Sequence, residues 1–218
     1  RIAVIGGSEE MVAQMVNRAK AVNSERVVLV GPDIASDDGG TMSAVFAAAA
    51  VAAVIAGNTD PSVPINGAEL TLFGAAGKRL SDNEIDQLVR GGVTPIETVG
   101  GVSSPVRGIT TRTSSGGAAD TTWRELTTIL IVDEVIPTIR SALRTRFARS
   151  KNTAQSRGAI RSQVVLELEE MKSREIVDSY GEVLVSALKS DPTVCLVEFS
   201  FTVAHGLNRI YLTAHITV

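Results

Sequence analysis

The sequence predicts an α/β part followed by an α+β part, with the change near residue 115. Three observations predict it. Two glycine-ended apolar runs flank an amphipathic segment within residues 1–31, the pattern of a strand–helix–strand unit with parallel strands. From Asp120 onward, long segments repeat their apolar residues every three or four positions, as helices do. After Gly181 the period falls to two, as in half-buried antiparallel strands.

The elements follow in order. "RIAVIG" (1–6) is a buried strand stopped at Gly6-Gly7. Ser8 caps the next helix, with Glu9 and Glu10 where the helix dipole favours acids, and Met11, Val12, Met15, Val16 and Ala19 form its apolar face. "RVVLVG" (26–31) is the second buried strand. "GGTMSAVFAAAAVAAVIAGN" (39–58) is a helix capped by Thr41 or Ser43 and closed by Gly57 in the left-handed conformation; apolar on all sides, it is expected under the sheet. Its apolar run is too short and too Ala-rich for a membrane span. In "LSDNEIDQLVRGG" (80–92), Ser81 and Glu84 form a capping box and Gly91 ends the helix. Gly100-Gly101 separates two β-prone runs, a hairpin in which Pro95 and Pro105 predict edge or irregular strands. "TSSGGAAD" (113–120) is the linker candidate.

A long helical segment starts near Thr121 or Thr122, with Leu126, Ile129, Val132, Ile136, Ile139, Leu143 and Phe147 in phase and Pro137 expected to kink or interrupt it. "SKNTAQSRG" (150–158) is a polar turn, and "AIRSQVVLELEEM" (159–171) a further helix with Ile160, Val164, Leu168 and Met171 in register. "EVLVSAL", "TVCLVEFSFTVA" and "NRIYLTAHITV" are three strands of an antiparallel meander.

Composition bounds the function. The 218 residues suit one large domain or two small ones. An apolar fraction of 44% is ample for a core, but aromatics are only 4%, so Val, Ile, Leu and Ala must build it. A net charge of −3 points neither to nor away from nucleic acid. The single cysteine, Cys195, excludes an internal disulfide and is compatible with a reducing compartment. No signal peptide is present, and a chain opening on "RIAVIGG" without Met reads as a piece lacking an N-terminal part.

Catalytic signals are weak. After Gly6 the residues are Gly-Ser-Glu-Glu-Met, without the third glycine of a dinucleotide fingerprint and with two carboxylates where a phosphate would dock. No Walker A sequence occurs. His205 and His215, with one cysteine and no third ligand nearby, make no metal site. "GGTMSA" resembles the serine-bearing helix of subtilisin-like proteases, but the serine between Thr41 and Met42 is missing, Ser43 lies past Met42, and no His precedes residue 205. A small α/β ligand-binding or hydrolase domain is the alternative; it would draw on Ser8, Glu9, Asp33 and Asp37 at the strand ends.

Two features remain. Arg140, Arg144, Arg146, Arg149, Lys151, Arg157 and Arg161 form a basic segment with no acid between Glu134 and Glu167. It reads as a solvated helix end, a docking face for an acidic partner, or a phosphate-contacting surface. The last residues alternate, with Ile210, Leu212, Ala214, Ile216 and Val218 apolar and Tyr211, Thr213, His215 and Thr217 between them. Such a strand either pairs internally or is exchanged with a second subunit.

Four stretches together carry a family resemblance: "LSDNEIDQLVRGGVTPIETV", "DTTWRELTTILIVDEVIPTIRSALRTRF", "NTAQSRGAIRSQVVLELEEMKSREIVDSYGEV" and "DPTVCLVEFSFTVAHGLNRIYLTAHITV". The chain resembles a contractile phage tail sheath protein. The resemblance implies a partial subtilisin-like α/β domain without protease chemistry over 1–115 and a C-terminal domain facing the inner tail tube over 116–218. It implies a structural, non-enzymatic subunit, without cofactor or metal, that assembles around the tube and contracts by rigid-body rearrangement. Its partners would be other sheath subunits, the tail tube protein and the baseplate, with no membrane and no direct nucleic acid. Its place would be the virion tail, assembled in the host bacterial cytoplasm. Ile210, Tyr211, Leu212, Thr213, Ala214, His215, Ile216, Thr217 and Val218 are then the candidate exchanged strand. Arg140, Arg144, Arg146, Arg149 and Lys151 are the candidate tube-facing residues.

Overall fold

The computed structural model describes residues 1–7, 11–35, 41–70, 79–208 and 213. Contacts divide the chain into two units, one of Arg1–Thr59, Val63–Ile129 and Gly206–Val218, the other of Asp60–Ser62 and Leu130–His205.

The first unit is built on a sheet of strand order β1-β2-β5-β6: β1 (Ala3–Gly6), β2 (Val27–Gly31), β5 (Val93–Val99) and β6 (Val102–Pro105). β1, β2 and β5 run parallel, with Ile5 beside Leu29 and Leu29 beside Val93. One face carries α1 (Val12–Val22) and α3 (Asp82–Arg90), whose Met15, Ala19 and Leu88 close over Leu29 and Val93. Strand side chains alternate, so the fully buried Val28 and Val30 look the other way. There α2 (Ala44–Gly57) lies across β1 and β2. Gly6 permits the approach: a Cβ on it would stand 2.4 Å from the carbonyl carbon of Ala44.

Several expectations change here. The expected cap Ser8 lies outside the described residues; α1 begins at Val12, where Met11 N–H donates to Gln14 Oε1 at 2.8 Å. Ser43 does cap α2. Gly57 does not close it: Asn58 is the C-cap, in an extended conformation. Nor is α2 buried all round. Ala44, Ala47, Ala48 and Val51 pack on the sheet, while Val45 and Phe46 stay 63% and 50% exposed, because no described element covers that side. Between β2 and α2, β3 (Ile34–Ala35) pairs with β4 (Thr41–Met42).

The Ser81–Glu84 capping box forms as expected, with Ser81 N–H donating to Glu84 Oε2 at 2.9 Å. So does the hairpin, with Gly100 and Gly101 at φ +60° and +86° between Val99 and Val102. Pro95, however, is on an interior strand, at the last pair of the β2–β5 ladder. The outer edge of β6 is covered: Gly67 and Leu70 N–H donate to the carbonyls of Pro105 and Ser103, each at 2.8 Å. "TSSGGAAD" is a miniature hairpin of β7 (Ser114–Ser115) and β8 (Ala118–Ala119). Asn23, itself left-handed at φ 41°, ties it to the α1–β2 turn by accepting from Thr113 and Ser114 N–H and donating to Ser114 O.

The long helix α4 (Leu126–Phe147) begins later than expected. Residues before it form a turn held away from the helix: Ile109 bridges Glu125, Thr110 N–H donates to Arg124 O, and Asp120 accepts from Thr122 N–H. Pro137 sits inside an uninterrupted helix. In the second unit, Ile131, Val135 and Ile139 of α4 pack with Val164, Leu168 and Met171 of α5 (Ala154–Ser173) and with Ile176, Val177 and Val183. α5 starts five residues before the expected position because Thr153 Oγ1 caps it, accepting from Ser156 N–H at 3.1 Å.

The strands of this unit form two antiparallel pairs rather than a meander. β10 (Leu184–Leu188) pairs with β11 (Asp191–Glu198), and β12 (Phe201–Val203) turns back to pair with β9 (Val177–Tyr180). "TVCLVEFSFTVA" therefore breaks at Phe199-Ser200, where Gly181 N–H donates to Ser200 O. "NRIYLTAHITV" lies, apart from Asn208 and Thr213, outside the described residues.

Candidate assembly surfaces

The strand ends of the parallel sheet offer little to a reacting molecule. Ser8, Glu9 and Asp37 lie outside the described residues. Asp33 is buried, and its Oδ1 accepts from Ala44 N–H at 3.1 Å, which ties it to the first turn of α2. Ser43 Oγ is the cap of the same turn, accepting from Val45 N–H at 3.4 Å. His205 is in the other unit, exposed beside Lys172, Glu175 and Asp178. Among the described residues no His, Cys, Asp and Glu group is arranged to hold a metal, and no helix is long and apolar enough to cross a membrane. Cys195 is half-buried in β11.

The second unit is different. β10 and β11 form a sheet of only two strands, and no described strand pairs with either outer edge. Asn152 in the α4–α5 turn donates from Nδ2 to Pro192 O at 2.7 Å and to Val194 O at 3.2 Å, which holds the start of β11. Val185, Ala187, Cys195 and Val197 are half-buried, and Leu184, Leu188, Val194 and Leu196 are 52%, 38%, 41% and 40% exposed. The hairpin is apolar on both faces and covered on one. Period-two reasoning assigns the core-facing side and misses the other, although the run "LVSAL" facing "VCLV" already shows apolar residues at odd and even positions.

The basic segment is divided by its contacts. Arg140 and Arg144 are exposed on α4, and Arg149 and Lys151 lie at the start of the turn. None of these four forms an ion pair with a carboxylate among the described residues. Arg146 instead donates to Gln163 Oε1, whose Nε2 donates to Glu167 at 2.7 Å. Arg157 donates to Asn152 Oδ1 at 3.0 Å, and Arg161 lies 3.6 Å from Glu182. Of the candidate exchanged strand, Ile210 to Leu212 and Ala214 to Val218 lie outside the described residues.

Among the described residues, then, a closed core carries a two-stranded hairpin whose outer edges pair with no further strand, an exposed apolar face and cations without a carboxylate partner. Comparison with known proteins shows what the chain is similar to. Residues 118–217 match the phage tail sheath C-terminal domain. The whole chain is 29% identical over 216 residues to the tail sheath protein of Bacillus phage SP01, covering 96% of this chain and 37% of that protein. Its fold matches the sheath tail protein of Desulfitobacterium hafniense with a TM-score of 0.68 at 14% identity, over 93% of this chain and 49% of that one. It matches the sheath of an extracellular contractile injection system, PVC, in the contracted state with a TM-score of 0.73 at 15% identity, over 100% of this chain and 64% of that one. The chain is thus similar, over nearly its whole length, to contractile tail sheath proteins, and it spans little more than a third of the curated relative it matches.

Proposed function

We propose that the chain is part of a structural sheath subunit that self-assembles around an inner tail tube, meets a baseplate, and contracts by rigid-body rearrangement of strand-linked copies. The observation that carries this reading is the sheath match across 96% of the chain. The free-edged β10–β11 hairpin supports it, because an unpaired edge accepts a strand through main-chain hydrogen bonds whatever the side chains. Residues Ile210 to Val218 of a neighbouring copy are the strand assigned to that edge. Such a link survives while the faces around it break and re-form, which contraction requires.

The α/β part, residues 1–115, which lies in the first unit apart from the short segment 60–62, is read as part of a subtilisin-like domain stripped of its chemistry. In support, parallel β1, β2 and β5 lie between α1 and α3 on one side and α2 on the other. β1 is an open edge among the described residues, and α2 leans over it with Val45 and Phe46 exposed. Residues 116–218 form the C-terminal sheath domain in this reading. The subunit has no catalytic role, and its place is the virion tail after assembly in the host cytoplasm. Electron microscopy of the complete polypeptide tests the function: tubes or rings are expected, and ending the chain at Asn208 should abolish them. A complete polypeptide that stays monomeric at high concentration overturns the reading.

A further inference from the structure

Strand β11 carries two unlike surfaces back to back, because successive strand residues project to opposite faces. On one side Val197 and the following Phe199 meet Ile136, Ile139, Arg140 and Leu143 of α4 around a groove of about 220 Å3. That is below the roughly 300–1,000 Å3 of small-molecule pockets, so it suits an inserted side chain rather than a ligand. Its rim is cationic: Arg140 and, one turn on, Arg144 have no carboxylate partner among the described residues.

On the other side of the hairpin, Leu184, Leu188, Val194 and Leu196 project into solvent. Here the margin is acidic. Glu198 stands opposite Leu184 and Asp191 opposite Leu188, with Lys189 the cation at the turn. Hydrogen bonds from the Thr193 hydroxyl and N–H fix the Asp191 carboxylate in place. One surface is a basic-rimmed apolar groove and the other an acid-rimmed apolar ridge, and both belong to this chain.

We propose that the outer face of the β10–β11 hairpin of one copy docks into the groove between α4 and β11 of the next. This rests on the self-assembly reading, and gives Arg140 and Arg144 a second copy to bind instead of the inner tube. Since groove and ridge lie on opposite sides of one strand, the contact is heterologous. Each copy offers a free groove at one end and a free ridge at the other, so the series closes as a ring or runs on as a helix. It is a face contact, distinct from the edge pairing assigned to Ile210 to Val218.

Charge exchange tests it. Arg140→Glu and Glu198→Arg are both changes at exposed positions. Each alone should weaken self-association of the chain, followed by sedimentation velocity against concentration, by about tenfold. Mixed in equal amounts they should associate again, since the acidified groove of the first variant then meets the basic ridge of the second, and the native pair also survives. Leu196→Asp should weaken association without rescue by any mixture. Circular dichroism matching the parent chain establishes that each variant is folded. Single variants that associate like the parent overturn the proposal, as does a mixture no better than its components. So does loss of purified tail tube protein from Arg140→Glu with self-association intact. If ending the chain at Asn208 abolishes assembly while the charge exchange is silent, the strand link stands and this face contact falls.

Discussion

A methyl group added at Gly6 should separate β1 from α2. An ideal Cβ there lies 2.4 Å from both the carbonyl carbon and the oxygen of Ala44 and 2.7 Å from Val45 N. All three are backbone atoms, so no side chain can swing away, and relief requires the first turn of α2 to retreat by about 1 Å. That turn is pinned by Asp33 Oδ1, at 3.1 Å from Ala44 N, and Ser43 Oγ, at 3.4 Å from Val45 N. Overpacking of this kind costs about 1–3 kcal/mol. Weakening a hydrogen bond to the buried Asp33 carboxylate adds about 1–3 kcal/mol. Gly6→Ala should therefore destabilise the first unit by about 2–6 kcal/mol in total. Gly57→Ala is the control, since nothing lies within 4 Å of a Cβ at that end of α2. Urea denaturation followed by amide hydrogen exchange reads the effect in β1, β2 and α2 separately from the second unit. Loss of less than about 0.5 kcal/mol, the usual range for a surface change, would refute the close packing of α2 on β1.

Two further outcomes are expected. Leu168→Ala, which empties a fully buried position between α4 and the strands of the second unit, should cost about 2–5 kcal/mol in denaturant unfolding, and exchange protection should fall in α5, β9 and β10 with β1 and β2 unaffected. The Asp191 carboxyl is held below its ordinary 3.8 by the hydrogen bonds from the Thr193 side chain and backbone. A depressed carboxylate contributes stability above the unfolded value and loses it as pH falls through the folded one. Carboxyl NMR titration should place Asp191 below 3.8, and Thr193→Ala should move it upward.

What was legible in the sequence was what depends on neighbours along the chain. The Ser81–Glu84 box, the Gly100-Gly101 hairpin and the strands Ala3–Gly6 and Val27–Gly31 are each specified within a few residues, although β1, expected to be buried, is only half-buried. The displaced boundaries share a different origin. Residues 121–125 carry helix-compatible side chains, yet Gly108, Ile109 and Thr110 hold that stretch in a turn and bridge through hydrogen bonds across more than ten positions. Short-range periodicity contains no trace of such a bridge. The same holds for "TSSGGAAD", whose composition is that of a linker and whose place is set by Asn23, about ninety residues upstream.

The surfaces proposed for association were harder to read for a physical reason. An apolar residue that awaits a partner copy is indistinguishable in sequence from one that fills the core. Val185 and Leu184 are neighbours of equal character, and only the packing of α5 against β10 separates them into covered and uncovered. The same applies to charge: "RSALRTRFARSK" reads as one basic block, but Arg146 spends its guanidinium on Gln163 while Arg140 and Arg144 have no carboxylate partner among the described residues. Under the proposed self-assembly, a subunit must keep its second face apolar without collapsing onto it. The β10–β11 hairpin does so by geometry, since among the described residues it has one helical layer to lean on and none to cover the other side. Burying that far face within a lone copy would need a further layer, and no described element supplies one.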